Sequence, residues 1–184
     1  MTRGHRRTRA GRLPGAHDTS GRGAKLLSGM IAGRQRTVID EATFWARFGR
    51  VEHEALEFKS SANNLREVIP AMAMTRGGEI VLGVSDDRRL LGCALDQRVF
   101  DAISRRAQEA RVDVRIDPLV VGGVPLTLIT VPRVAGRIVT TADGRVLCRV
   151  GSDNTPLCHE QLVRFVRRHL GLRPRLLARL AARA

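Results

Sequence analysis

The chain has 184 residues and a formal charge of +14, with 43% apolar residues. That is enough apolar chain for one globular domain and argues against a wholly disordered protein. Aromatics are only 3% and Tyr is absent, which argues against a base-stacking platform, and no apolar run reaches the ~20 residues of a membrane span.

Residues 1–36 hold nine Arg and Lys against Asp18 alone, and are rich in Gly, Ser and Thr without apolar periodicity. They read as disordered, and residues 1–37 as an arginine-rich arm. Arg6-Arg7 is followed by Gly11, Arg12 and Pro14 where an export signal needs an apolar stretch. Met30 offers an alternative translation start within this arm. Ordered structure is expected from Asp40, which caps a short helix bearing Phe44, Trp45 and Phe48 and ended by Gly49. From Glu54 to Lys59 the pattern alternates, with Leu56 and Phe58 on one face and Glu57 and Lys59 on the other, as in a half-buried strand. Asn63 or Asn64 caps a helix to about Met74, with Pro70 inside it as a bend.

After the Gly77-Gly78 turn, Glu79 to Ser85 reads as a strand buried on both faces. A turn at Asp86-Asp87 leads to a short strand through Leu90, Leu91 and Cys93. Asp96 caps a helix to about Ala110. Val112–Val121 and Pro125–Val131 form a hairpin about Gly122-Gly123, and Arg137–Thr141 with Arg145–Val150 a second about Asp143-Gly144. Gly151-Ser152-Asp153-Asn154 reads as a loop, and Pro156 opens a helix through Leu162, Phe165 and Leu170. The fold class is α+β: one mixed domain over residues 38–172, with several β-hairpins and packed helices, flanked by basic tails. The segment from Arg164 to Ala184 holds seven arginines and no acid, and residues 173–184 form a basic amphipathic tail. The body between the basic ends is nearly neutral.

Three widely spaced cysteines, Cys93, Cys148 and Cys158, lack zinc-site spacing and suit a reduced, cytoplasmic protein. His159 beside Cys158 is adjacent in sequence and so points elsewhere. No phosphate-binding loop of the G-x-x-x-x-G-K type is present, which argues against an ATPase.

Three motifs in series carry a family resemblance: Glu52-His53-Glu54-Ala55-Leu56-Glu57-Phe58-Lys59-Ser60; Ala73 to Gly77-Gly78-Glu79-Ile80-Val81-Leu82-Gly83-Val84-Ser85-Asp86 with Gly92 after it; and Arg149-Val150-Gly151-Ser152-Asp153-Asn154. Together they resemble the Schlafen AlbA-type domain across roughly Glu52 to Leu170. Met74 departs from the pattern, where many members carry Asn. The resemblance implies nucleic-acid binding, in a regulatory role in many bacterial members, and in some animal members metal-dependent RNA cleavage by an acidic trio that falls here on Glu52, Glu57 and Asp86. Three carboxylates are the hard ligands that Mg or Mn needs. Glu52 and Glu57 differ in strand parity, so they converge only if the chain bends before Glu54.

The first reading is therefore a binding protein that contacts phosphates through Lys59, Arg149, Gly151, Ser152, Arg167 and Arg168, with the arms adding salt-sensitive affinity. The alternative is an endoribonuclease using Glu52, Glu57 and Asp86, with Mg or Mn as cofactor. A protein-interaction module built on the leucine-bearing tail is a third reading. The expected partner is nucleic acid, DNA or RNA; homo-oligomerisation is compatible with the sequence, and no membrane partner is expected.

Overall fold

The computed structural model describes residues 36–171. The expected arm, the Met30 start and the 173–184 tail lie outside these residues, apart from the arm's last two positions. The architecture is α+β in a single domain, as expected. β1 (Thr37–Ile39) leads into α1 (Glu41–Phe48), and β2 (Leu56–Lys59) into a 3-10 turn at Ala62–Asn64. Next come α2 (Val68–Met74), β3 (Gly78–Leu82) and α3 (Gln97–Ala110). The chain continues with β4 (Arg115–Val121), β5 (Val124–Val131), β6 (Leu147–Val150), β7 (Asp153–Pro156) and α4 (His159–His169).

Five strands form one sheet in the order β1-β4-β5-β3-β2, while β6 and β7 pair separately. The β1–β4 and β2–β3 pairs are parallel; β3–β5 and β4–β5 are antiparallel. Alternation along each strand splits the apolar residues between two cores. Leu56, Phe58, Val81, Leu119, Leu126 and Leu128 face α1, where Phe44 and Phe48 close one core. Ile80, Leu82, Ile116, Ile129 and Val131 face α2 and α3, which supply Ile69, Met72, Phe100 and Ile103. Burying β3 on both faces explains its unbroken apolar run.

Local chemistry sets the ends. Asp40 accepts a hydrogen bond from Thr43 N at 2.7 Å, and Gly49 closes α1 through its N–H to Trp45 O. Asp96 caps α3 by accepting from Val99 N at 2.8 Å. Asp96→Ala is expected to cost ~1 kcal/mol of unfolding free energy, read from urea denaturation; an unchanged midpoint would mean that α3 does not depend on its cap.

Several expectations need correction. Ordered structure starts before Asp40: Thr37, Val38 and Ile39 pair with Leu119, Val120 and Val121. Three β-branched or apolar residues are too short a run to announce a strand, and their partner lies eighty residues away. The helix expected from Asn63 splits into the 3-10 turn and α2. Pro70 is the third residue of α2, in the first turn, where a missing N–H breaks no helical bond, so it starts a helix rather than bending one. The expected strand at Leu90–Cys93 reduces to one bridge, Val84 to Leu90. Asp143-Gly144 makes a tight turn, with Gly144 N to Thr141 O at 2.9 Å, but Arg137–Thr141 is not a strand. β6 pairs instead with β7 across Gly151-Ser152, so the expected 151–154 loop is half strand. Pro156 ends that strand opposite Leu147, and the last helix begins three residues later than expected, at His159.

Candidate functional site

The site is built around β2. The chain bends back at His53–Leu56, where His53 N meets Leu56 O at 3.2 Å and Leu56 N meets His53 O at 3.0 Å. This bend satisfies the parity condition and brings Glu52 alongside β2. Its Oε1 then accepts from Phe58 N at 2.9 Å, occupying an N–H on the outer edge of the sheet. Its Oε2 faces Arg88 at 3.4 Å.

Glu57 and Lys59 point to the opposite face from Leu56 and Phe58. The Glu57 carboxylate is buried between two cations: Lys59 Nζ at 2.5 Å and Arg149 NH1 at 2.7 Å. Arg149 has no exposed side-chain surface. Its guanidinium also donates to His53 O at 3.0 Å, Leu56 O at 3.3 Å and Asn154 Oδ1 at 3.3 Å. Its backbone N–H donates to Thr75 Oγ1 at 2.8 Å, and the Thr75 hydroxyl donates to Ala71 O. The Arg149 side chain thus ties the β2 bend to the β6–β7 hairpin, a task suited to the planar, five-donor fork of Arg, while its backbone N–H holds the end of α2.

The acidic trio is not gathered. Glu57 and Glu52 are engaged as described, and Asp86 sits on an exposed turn. Among the described residues no three His, Cys, Asp or Glu side chains are placed to hold a metal ion. As arranged, Glu52, Glu57 and Asp86 do not fit a divalent cation, whose hard oxygen ligands must converge on one point.

Lys59 is partly exposed and lines an open cleft of about 390 Å³ with Asn63, Asn64, Arg66, Arg106 and Asn154; the one acid in the lining, Glu67, is paired with Arg145 at 2.5 Å. A neighbouring depression shares Asn63 and Arg106 and adds Arg98 and Arg105 from α3. Among the described residues Arg66, Arg98 and Arg105 form no ion pair, while Arg106 pairs with Glu109 at 2.9 Å. The sequence reading missed these arginines. Their signal was available in the α3 stripe, where Arg98 and Arg105 stand two turns apart opposite the buried Phe100, Ile103 and Ala107. Of the expected contacts, Gly151 and Ser152 form the exposed hairpin turn, and Arg167 and Arg168 are exposed on the last turns of α4. Arg168 joins Arg76 and Arg133 in a separate cleft at the other end of α2.

Cys93 and Cys148 offer no nucleophile here. Burial pushes the Cys148 thiol up, with the Glu54 carboxylate adding to it, and burial raises Cys93 in the same direction, so both stay protonated near neutral pH. Among the described residues no helix is long and apolar enough to cross a membrane.

The family described as Schlafen, AlbA_2 matches residues 52–158, more than half of the chain. The structure is similar in fold to the DIP2311 protein from Corynebacterium diphtheriae, with a TM-score of 0.53 and 20% identity over 66% of this chain. That match covers 28% of the Corynebacterium protein, so the chain spans less than a third of its length. No curated protein matches.

Proposed function

The chain belongs to the Schlafen, AlbA_2 family, and from that premise we propose that it is a nucleic-acid-binding protein that holds phosphates in the cleft around Lys59. Membership supports a nucleic-acid-associated role at the level of the family. The observation that carries the reading is the way the cleft is furnished. Arg149 fixes Glu57, Glu57 fixes Lys59, and Lys59 meets the cleft beside Arg66, Arg106 and the amides of Asn63, Asn64 and Asn154. Cations and N–H donors on braced elements suit phosphate oxygens, which accept charge-assisted hydrogen bonds. Arg149 serves here by positioning, since its guanidinium is buried. Gly151, Ser152, Arg167 and Arg168 add exposed polar or cationic groups. The +14 charge raises the local concentration of any polyanion.

Phosphate contacts release counterions, so affinity falls linearly with salt on a logarithmic scale. With three contacts, raising salt from about 50 to about 200 mM costs roughly 40-fold in affinity, and the basic ends steepen this. Fluorescence anisotropy of the full chain with labelled oligonucleotides, single- and double-stranded, measures it. Lys59→Ala is expected to reduce the slope by about 0.9. Absence of binding to every oligonucleotide at low salt, or an affinity indifferent to salt, overturns the reading.

A further inference from the structure

We propose that the arginine face of α3, with Arg66 beside it, docks a double helix through its phosphate backbone rather than a single strand through its bases. This rests on the nucleic-acid reading above and narrows it to a face and a ligand form.

Every Phe and Trp side chain is already engaged within the fold. The chain has five Phe, one Trp and no Tyr, and all six lie within the described residues. Phe44, Phe48, Phe58 and Phe100 are buried. Trp45 packs edge-on against Phe44 and Phe58 and donates its indole N–H to Glu41 Oε1 at 2.8 Å. Phe165 stacks on His169 and packs against the core beneath α2 and α3. Trp45 and Phe165 are half-buried, and Arg50 lies over the Trp45 ring at 4.3 Å as His169 lies on Phe165, so neither offers a free face to unstacked bases. Single-strand binders draw much of their affinity from base–aromatic stacking. A duplex keeps its bases stacked on each other and presents phosphates, so it loses nothing on a surface without aromatics.

Two unpaired cations stand together on α3. Arg98 and Arg105 are exposed, lie on one stripe of a 14-residue helix, and form no ion pair among the described residues. Seven residues at 1.5 Å rise set their backbones ~10 Å apart, comparable with the ~12 Å width of a major groove between phosphate walls. Arg66 and Lys59 stand across the cleft that α3 shares through Arg106. The two acids on the stripe are already engaged, Asp101 accepting from Gln97 and Glu109 from Arg106. The helix is fixed to the core by Phe100, Ile103, Ala107 and Ala110, so these cations are carried on a rigid bar. The chemistry is shared by DNA and RNA duplexes.

The test uses the full chain and three labelled probes of one mixed sequence: a duplex DNA, a duplex RNA and the single strand, each at the same salt concentrations. The basic ends bind all three by charge, so preference among them reports the folded body. Expected is at least about tenfold tighter binding of a duplex than of the single strand. Arg98→Glu with Arg105→Glu, both exposed, is expected to weaken duplex binding about tenfold or more and to lower the salt slope by about 1.8, with the circular dichroism and unfolding midpoint unchanged. Arg66→Glu, on a different element, provides a second variant should the double reversal disturb folding. The DNA and RNA arms identify which duplex is held. Equal or tighter binding of the single strand, or duplex binding untouched by these reversals, overturns the inference while leaving the nucleic-acid reading standing. Failure to bind any probe overturns both.

Discussion

Arg149→Ala is expected to lower the stability of the domain by about 3–5 kcal/mol, the cost of leaving a buried charge and its partners uncompensated. The substitution strips Glu57 of one of its two cations and leaves His53 O, Asn154 Oδ1 and the buried Leu56 O without this donor. Arg149→Lys recovers only part of this, because one ammonium on a flexible stem cannot serve a carboxylate, an amide and two carbonyls at once. Glu57→Gln acts from the other side, leaving the guanidinium buried with no full counter-charge. Thermal unfolding of the three variants, read against the parent, gives the ranking; a loss below about 1 kcal/mol for Arg149→Ala would mean that the bend and the hairpin hold together without its side chain. The same measurement bears on metal chemistry. With Glu57 held by Lys59 and Arg149, added Mn²⁺ is expected to leave the unfolding midpoint where it is. A rise in the parent that Glu57→Gln abolishes would make Glu57 a cation ligand after all.

This knot also marks the border of what could be read from sequence. Period-2 alternation at Leu56–Lys59 was enough to put Glu57 and Lys59 on one face, and the capping acids Asp40 and Asp96 announced their helices correctly, since both signals are local. The hairpin at Gly122-Gly123 was equally plain. Part of what stayed hidden depended on contacts far along the chain, and part on local pairing against propensity. Arg149 lies more than ninety residues from the carbonyls it serves, so its position in a motif suggested a surface handle, whereas its surroundings make it an internal brace. β7 was missed because Asp153, Asn154 and Pro156 disfavour strands on their own and are drawn into one by pairing with β6. The acidic trio illustrates the limit of a motif: the bend that it required does exist, yet Glu52 is engaged by Phe58 N and Arg88 and Glu57 by Lys59 and Arg149, while Asp86 stands on an exposed turn.

The separation of roles follows from exposure. The buried groups, Arg149 and Glu57, set geometry, and groups at the rim, Lys59, Arg66, Arg98 and Arg105, are left to meet a ligand. A phosphate surface needs both, because long cationic side chains lose rotamer freedom on binding and a braced scaffold limits that loss to the side chains themselves.

Gly78→Ala is the substitution expected to damage the fold most directly through sterics. Gly78 opens β3 with φ at 155°, and a Cβ placed there would lie 2.4 Å from Ala55 O and 2.7 Å from Ala55 Cα. Those atoms are backbone, and they belong to the bend that carries Glu52 and Glu57. Glu79 N donates to Ala55 O at 2.9 Å in the same place, so the bend cannot withdraw without giving up that bond. The backbone strain and the overlap together are expected to cost roughly 3 kcal/mol or more. Gly123→Ala is the matched control: φ is 86°, yet nothing lies within 4 Å of the added carbon, so only the conformational penalty of ~1 kcal/mol remains. Urea unfolding of the two variants separates the effects. Equal losses would mean that the close approach of β3 to Ala55 yields easily. A much larger loss at Gly78, together with weakened oligonucleotide binding, would show that the double glycine lets β3 pass close enough to β2 to set Glu57 and Lys59 at the cleft.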